Sequence, residues 1–471
     1  MPMPHAIELP LTLRLATFAH RLTIQDIPAA LRRKIVLHFI DSLGCGIAGA
    51  SSQVVRDCAR VTRLHYAGGN SPVLDGGAPL AAIGAAFLNA AAINALDYDD
   101  GYEVAGRGMG HPGATLVAAA LAALGSRPID GETLICALAA AYEINGRIIQ
   151  SQQPSPARFQ QVYGVCQHES IGAAVAYGLL TGCDATGLEN AIGLAASLTP
   201  LPSLHKYNWQ QRPLVSFKDY NAPAAEVGVR GVELHRGGII GPRDVLSGEQ
   251  GFWRMMGSDH FDEAVLIAGL GEQWAIQHAS FKAYPACRWI HTSLESFERI
   301  QHDLALSPQA IEQIRVKGSQ RLAADFMDSR PKNATDAQFS LPFALACLAY
   351  RIPRHRWSAD DTLTNPELLA LADKVDVEVS PELDQLMAQA RRPVLQVDVV
   401  TQGTVVSGER IAFPLGCAEH PLAESHIMAK FAENLSPRLA PTTVAEATAA
   451  LSELEHCQDV AALLTPLMQM P

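Results

Sequence analysis

The sequence predicts a mainly helical protein with a smaller α+β unit, and two observations support this fold class. From Leu11 to about Leu201, alanine, leucine and isoleucine recur at three- and four-residue spacing, which is the period of a helix. Near residues 269–277 this pattern changes, and short β-type runs follow until a helical pattern returns after about residue 410. We therefore expect a helical domain over 1–268, an α+β domain over 269–408 and a C-terminal helical part over 409–471.

The helices of the first part are predicted to pack inside a large bundle. Several are apolar on more than one face, and a helix of that kind leaves apolar surface in water unless neighbours cover it on all sides. Asp130 and Asp184 each precede a helical pattern and are predicted N-caps. The clearest predicted helices cover residues 29–48, 81–95, 114–122, 131–149 and 171–180.

The α+β part contains three predicted strands, at 314–316, 374–379 and 395–400, and one amphipathic helix at 341–349. Residues 395–401 and 404–407 are predicted to form a hairpin through Gln402-Gly403, because glycine supplies the positive φ of a tight turn. Helices are predicted again at 423–434 and 443–452.

Composition excludes several classes of partner. The 471 residues are 48% hydrophobic, which is enough for a large core, and 36 basic against 48 acidic residues give a net charge of −12. The basic clusters are short and isolated, so neither nucleic acid nor an anionic membrane is an expected partner. The nine cysteines are scattered and never in a CxxC spacing. With no recognisable secretion or membrane segment, we expect reduced thiols in a cytoplasmic protein.

Three carboxylates and one imidazole gather within a short stretch of the chain. Asp97, Asp99 and Asp100 precede the Gly-His-Pro-Gly run that contains His111. Asp97 and Asp99 share a side if the stretch is extended, whereas Asp97 and Asp100 share one if it is helical. Because the stretch separates two apolar helical patterns, it is well positioned to face a pocket. It indicates a proton-transfer site, and a solvated acidic loop after a helix is the competing interpretation.

Five segments, spread over nearly the full length, resemble the MmgE/PrpD family, whose members include 2-methylcitrate dehydratase, cis-aconitate decarboxylase and iminodisuccinate epimerase. The segments are residues 96–100 with His111-Pro112-Gly113, then 164–168, 217–221, 281–288 with His291, and 336–342. The resemblance implies a large helical domain built from both chain ends, with the α+β unit inserted between them as a lid over the site. It also implies a homodimer that uses no metal or organic cofactor.

The resemblance further implies a site that binds a small polycarboxylate and moves a proton on the carbon next to a carboxylate. Such a site needs cations to hold the substrate and a group that titrates near neutrality, as histidine does. The residues to which it assigns catalysis are Asp97, His111, Lys218 and His168. Those expected to bind substrate are Lys282, Tyr284, Arg288, Asp100 and Arg107.

Some of these assignments have competing interpretations. Glycines beside His111 allow close approach to a ligand, and Asp97 is expected either to orient this histidine or to act directly. Tyr284 would share a face with Lys282 on an extended strand. His168 is alternatively a polar residue at a helix start, and Arg288 a salt bridge within the lid. Lys218 is alternatively a surface lysine and Cys287 is expected to be structural.

The sequence departs from its relatives around the acidic cluster. Gly101 stands where many relatives have threonine, and Tyr102 would supply a hydroxyl instead. The interval between Asp100 and His111 is longer than in relatives and adds Arg107, which is expected to contact a further substrate carboxylate.

We therefore predict a cofactor-independent lyase that dehydrates 2-methylcitrate or a close analogue. An epimerase or a decarboxylase on the same scaffold is the nearest alternative, because all three reactions share the proton transfer. A metal-dependent hydrolase using the Asp/His cluster, and a catalytically silent scaffold, are alternatives of other classes.

Overall fold

The computed structural model describes residues 9–159, 161–162, 166–200, 208–209, 211–217 and 220–468. The first part contains the helices α1 (Leu11–Arg21), α2 (Ala29–Gly49), α3 (Gln53–Tyr66), α4 (Ala82–Asn94), α5 (Pro112–Ala123), α6 (Gly131–Ser151), α7 (Pro156–Phe159), α8 (Glu169–Leu180), α9 (Ala185–Leu198), α10 (Asn221–Arg236), α11 (Phe252–Met255) and α12 (Glu263–Ile267). The next part contains α13 (His291–Asp303), α14 (Gln320–Asp325), α15 (Ala334–Gln338), α16 (Leu341–Ala349), α17 (Asp360–Leu363), α18 (Pro366–Ala372) and α19 (Pro381–Ala390). The last part contains α20 (Glu424–Leu435), α21 (Pro441–Ser452) and α22 (Val460–Met468).

Short strands accompany the helices, and the mainly helical class is confirmed. The strands are β1 (Ala67–Ser71), β2 (Gly101–Val104), β3 (Arg107–Gly110), β4 (Ala279–Ser280), β5 (Ile311–Gly318), β6 (Val375–Val379), β7 (Gln396–Thr401) and β8 (Thr404–Ser407). One sheet has the order β3-β2-β4, and the other has the order β6-β5-β7-β8.

Several local predictions are confirmed. Asp130 and Asp184 cap α6 and α9, since their carboxylates accept from the backbone N–H groups of Thr133 and Gly187, each at 2.7 Å. Strands β7 and β8 form the predicted hairpin. Its turn residues, Gln402 and Gly403, have φ angles of 50° and 70°, as a type I′ turn requires.

The expectation that residues 11–201 are nearly all helical is wrong at one place that matters for function. Strands β2 and β3 form a hairpin, in which Tyr102 pairs with Gly110 and Val104 with Arg107. The turn residues Ala105 and Gly106 both have positive φ, 52° and 73°. The interval between Asp100 and His111 is therefore taken up by paired strands, and Gly110 leads directly into this histidine.

Both ends of the chain contribute to one apolar core. This core contains buried residues from α1 through β4 and also from α20 to α22, including Phe431 and Leu435. Helix α20 packs on α2, where a Cβ on Gly44 would lie 2.9 Å from Cδ2 of Phe431. A second core contains Leu214 and buried residues between 284 and 399. The domain boundaries after residues 268 and 408, and a lid function for the second unit, stay predictions.

All nine cysteines lie within the described ranges, and none forms a disulfide. Over those same ranges, no one helix has both the length and the apolar character needed to cross a membrane; only α2 and α3 together reach them, with an 89° bend between.

Candidate active site

The acidic segment 97–100 follows α4 and is buried. Its three carboxylates have different partners, which divides the predicted cluster into separate roles. Asp97 has a left-handed backbone conformation, with a φ of 52°, and its Oδ1 lies 2.5 Å from Nζ of Lys282. Asp99 accepts from the side-chain amide of Asn94 at 3.3 Å. Asp100 accepts from the backbone N–H of Gly113 at 2.8 Å.

Asp100 is the residue on which several elements converge. Besides Gly113, its Oδ2 accepts from the hydroxyl of Tyr142 at 2.9 Å and lies 3.6 Å from Nδ1 of the buried His38. A Cβ on Gly113 would lie 2.8 Å from the Asp100 carboxyl, so glycine is required for this approach. Burial, and then repulsion from Asp99, raises the pKa of Asp100 well above its usual value. Asp100 is therefore held towards its neutral form.

His111 is half-buried at the N-cap of α5, and its ring is oriented by the main chain. Its Nδ1 lies 2.9 Å from the carbonyl oxygen of Asp100. A carbonyl can only accept, so Nδ1 carries the proton and the lone pair of the neutral ring is on Nε2. The orienting contact comes from the Asp100 main chain, whereas the Asp97 carboxylate binds Lys282.

The backbone of His111 is also fixed from both sides. Its N–H donates to Oε1 of Glu169 at 2.9 Å, and its carbonyl accepts from the amide of Asn221 at 3.0 Å. Oε2 of Glu169 accepts from Asn221 at 2.9 Å and from Thr115 at 2.7 Å. Cys166 in turn donates to Oδ1 of Asn221 at 3.3 Å. Burial raises the pKa of Glu169 well above its usual value.

Lys282 reaches the acidic segment because of the small sheet. Strand β4 pairs with β2, with Gly101 opposite Ser280, so the chain after β4 runs beside residues 97–100. The Lys282 side chain is fully buried, and its Nζ also donates to the carbonyl of Asp97 at 3.1 Å. Lys282 contacts Asp97, at the start of the acidic segment, and His111 contacts Asp100, at its end. Both predicted residues therefore lie against the same four-residue segment.

A second buried lysine supports this arrangement from the C-terminal helices. Lys430, on α20, donates to the carbonyls of Tyr98 and Lys282 at 2.6 and 3.2 Å and lies 2.7 Å from the Asp41 carboxylate. Burial opposes the charge on Lys430, but Asp41 and other neighbouring groups together outweigh burial and raise the lysine pKa. Lys430 therefore ties α2, the acidic segment and the Lys282 segment together.

Two other predicted substrate ligands are engaged within the protein. Arg288 contacts both carboxylate oxygens of Glu103, at 2.6 and 3.2 Å, and donates to the Leu415 carbonyl at 2.9 Å. Tyr284 is buried and donates to Glu298 at 2.7 Å. Since β4 ends at Ser280, no extended strand carries Lys282 and Tyr284, and their side chains have separate partners. Substrate-binding roles for Arg288 and Tyr284 stay predictions.

The remaining predicted residues have different positions. Arg107 is half-buried on β3, close in sequence to His111. His168 is buried at the start of α8, where burial lowers its pKa to about 4. It lines a cavity together with Met109 and Arg391. Lys218 lies outside the described residues. Over the described ranges, no three His, Cys, Asp or Glu side chains are arranged to hold a metal ion.

Two family models together match most of the chain. A family model described as the MmgE/PrpD N-terminal domain matches residues 13–264, and one described as the MmgE/PrpD C-terminal domain matches residues 284–456. The chain belongs to the MmgE/PrpD family. Helices from both matched parts meet around the site, because α20 of the C-terminal match packs on α2 of the N-terminal match.

Relatives of this MmgE/PrpD chain include several cis-aconitate decarboxylases. The Homo sapiens protein is 24% identical, over 96% of this chain and 93% of that protein. Two Aspergillus terreus proteins are also similar: one is 24% identical over 98% of this chain and 95% of its own length, and the other 25% identical over 89% and 88%.

Sequence reasoning missed the residues that hold the candidate site of this MmgE/PrpD chain in place. Glu169 follows His168 directly, and Asn221 ends the 217–221 segment, so both stood beside predicted residues without being singled out. Lys430 had no signal, because it is an ordinary lysine on an amphipathic helix until α20 packs against α2.

Proposed function

We propose that this protein is a cofactor-independent lyase that acts on a small polycarboxylate. In this proposal His111 transfers a proton at a carbon next to a substrate carboxylate, while the buried pair of Lys282 and Asp97 forms the adjoining wall. The proposal is supported by membership of the MmgE/PrpD family and by relatives that are decarboxylases.

The observation that carries the proposal is the hydrogen bond from His111 Nδ1 to the Asp100 carbonyl oxygen. Because it holds the neutral ring in one tautomer, Nε2 is the atom that accepts a proton or, once protonated, returns it. Two hydrogen bonds of the His111 backbone, from its N–H to Glu169 and from Asn221 to its carbonyl, keep Nε2 in place. A positioned imidazole is what transfer of one proton to or from carbon requires.

Two lyase outcomes use this proton differently. In decarboxylation of a cis-aconitate-type substrate, the bond from carbon to the departing carboxylate breaks and its electron pair forms a new double bond. The former double bond takes up, at the carbon next to the other carboxylate, a proton that Nε2 of His111 has taken from solvent, and carbon dioxide leaves. In dehydration of 2-methylcitrate, a base removes a carbon-bound proton and an acid protonates the departing hydroxyl.

We infer decarboxylation as the first candidate and dehydration as the second. Decarboxylation needs one proton carrier, and among the described residues His111 has the geometry of one, whereas His168 is held in its neutral form at pH 7. The near-full-length relatives named cis-aconitate decarboxylase favour the same outcome. Dehydration, the outcome predicted from sequence, needs a second carrier.

The test is proton NMR of the protein in D2O with cis-aconitate and, separately, with 2-methylcitrate. Decarboxylation gives itaconate with one solvent deuterium on its methylene carbon, and dehydration gives a new alkene without carbon dioxide. His111→Gln should lower the rate by about 100-fold or more, because acid–base catalysis contributes ~10²–10⁴-fold.

The matched control is His426→Gln, since His426 is exposed on α20. Its rate should equal that of the wild type. Full activity in a folded His111→Gln variant would contradict the assignment of His111, and inactivity of the wild type on both substrates would contradict the substrate class.

A further inference from the structure

A cavity of about 550 Å³, counted to its open mouth, adjoins the segment that carries His111. Its walls come mainly from the helical body, including Met109 of β3, Gln152 and His168, and from Arg391, which follows α19. Met109 is two residues before His111 on the strand that runs into α5. His168 precedes Glu169, which accepts from the N–H of His111, so the cavity lies next to the residues that hold this histidine.

Two buried polar atoms that line this cavity lack hydrogen-bond partners among the described residues. They are Nε2 of Gln152 and Nδ1 of His168, and both side chains belong to residues that are 7% exposed. A buried donor without a partner is unfavourable, and most buried polar groups in proteins do have one. The Gln152 amide needs an acceptor, and a neutral imidazole with its proton on Nδ1 needs one too.

The described residues that line the cavity give it a positive charge. Arg391 is the one residue with a formal charge among the described residues that line it, because burial keeps His168 neutral at pH 7. The Arg391 guanidinium stacks 3.9 Å from the centre of the Phe159 ring and donates to Oε1 of Gln153 at 2.8 Å. An arginine oriented by an aromatic ring and an amide is prepared to bind a planar anion such as a carboxylate.

We propose that Gln152, His168 and Arg391 bind a carboxylate of the substrate that is remote from the carbon at which His111 acts. This inference rests on the proposed function, because a polycarboxylate has at least one carboxylate beyond the reacting centre. The subsite sets which polycarboxylates bind, through the distance between their charged groups.

The test measures binding without turnover. Tricarballylate is a saturated tricarboxylate with neither a hydroxyl nor a double bond, so the enzyme has nothing to eliminate. Isothermal calorimetry on the full chain gives its Kd for the wild type and for Arg391→Ala and Gln152→Leu. We expect Arg391→Ala to weaken binding by about tenfold or more and Gln152→Leu by about threefold or more. For turnover, Arg391→Ala should raise KM with little change in kcat.

The matched control is Arg392→Ala, because the neighbouring Arg392 donates to the Ala412 carbonyl and stacks on Phe413, outside the cavity lining. It should bind tricarballylate as the wild type does. Unchanged Kd values in both folded cavity variants would overturn the proposal, as would absence of tricarballylate binding by the wild type. Failure of the proposed function would give a different result. No new alkene would form from either substrate, while tricarballylate binding that depends on Arg391 would persist.

Discussion

Asp100 shows how one residue serves the site through its main chain while its side chain stays neutral. Its carbonyl orients His111, and its carboxyl joins α5 and α6 through Gly113 and Tyr142. Because burial raises its pKa, the folded protein keeps a proton on Asp100 that the unfolded chain releases above about pH 3.9. The associated stability is fully present below that pH and is lost as the pH rises towards the folded-state pKa.

Asp100→Asn should therefore change the pH dependence of stability. Asparagine resembles the neutral acid in shape and does not ionise, so the free energy of unfolding of the variant relative to wild type should rise between about pH 5 and about pH 8. Urea denaturation at both pH values measures this difference. Asp376→Asn, at an exposed position on β6, is the control and should show no such trend. A difference that stays constant, or falls, with pH would show that Asp100 is ionised in the folded protein.

The residues that we propose for the reacting face could be named from sequence, and the residues that hold them in place could not. Asp97, His111 and Lys282 stand in motif segments, and the structure brings them together at residues 97–100 and the chain after β4. Asn221 and Glu169 both hydrogen-bond to the backbone of His111. The sequence separations are 110 residues for Asn221 and 58 residues for Glu169. Such partners are determined by helix packing, which a local pattern does not encode.

At the scale of elements, the β2–β3 hairpin has a turn whose residues do not match its backbone. Ala105 occupies the first turn position with φ 52°, a left-handed conformation that costs a non-glycine residue about 1 kcal/mol or more. This also explains why the hairpin was not predicted, since Ala-Gly is a weak turn signal compared with Asn-Gly. By contrast, the Gln402-Gly403 hairpin was predicted, because its glycine lies between two β-type runs, 395–401 and 404–407.

Ala105→Asn should stabilise the protein by roughly 1 kcal/mol, because asparagine tolerates the left-handed conformation and completes an Asn-Gly turn. Ala105→Val should have the opposite effect, since a β-branched side chain is strained at positive φ. Urea denaturation of the two variants measures both changes in the free energy of unfolding. Because Ala105 is exposed, neither change includes a contribution from lost core packing. A loss of stability in Ala105→Asn would contradict the turn assignment.

At the scale of the whole molecule, the C-terminal helices belong to the core of the N-terminal part. Phe431 is fully buried in α20 and packs against Gly44 of α2. The sequence predicted the return of helices after residue 410, and the family resemblance added that both ends form one body. Which face of α20 meets α2 was beyond prediction, because it depends on the shape of the groove at Gly44.

Phe431→Ala should lower the free energy of unfolding by about 3–5 kcal/mol, the usual cost of truncating a buried phenylalanine. Because the two helices share a core, hydrogen exchange of backbone amides in α2 should speed up together with that in α20. Val405→Ala is the control, since Val405 is 50% exposed on β8 and should change stability by less than about 0.5 kcal/mol. Exchange that speeds up in α20 alone would mean that the two chain ends unfold separately.

The bonds from Lys430 to the carbonyls of Tyr98 and Lys282 have a consequence for biosynthesis. Lys430 is 148 residues beyond Lys282 in the chain, and it supplies the cation next to the buried Asp41 of α2. A ribosome that adds about 5–20 residues per second needs roughly 7–30 s to make the segment between the two lysines. Throughout that time a nascent chain holds α2 without its cation, so the acidic segment reaches its final geometry only after most of the polypeptide has been translated.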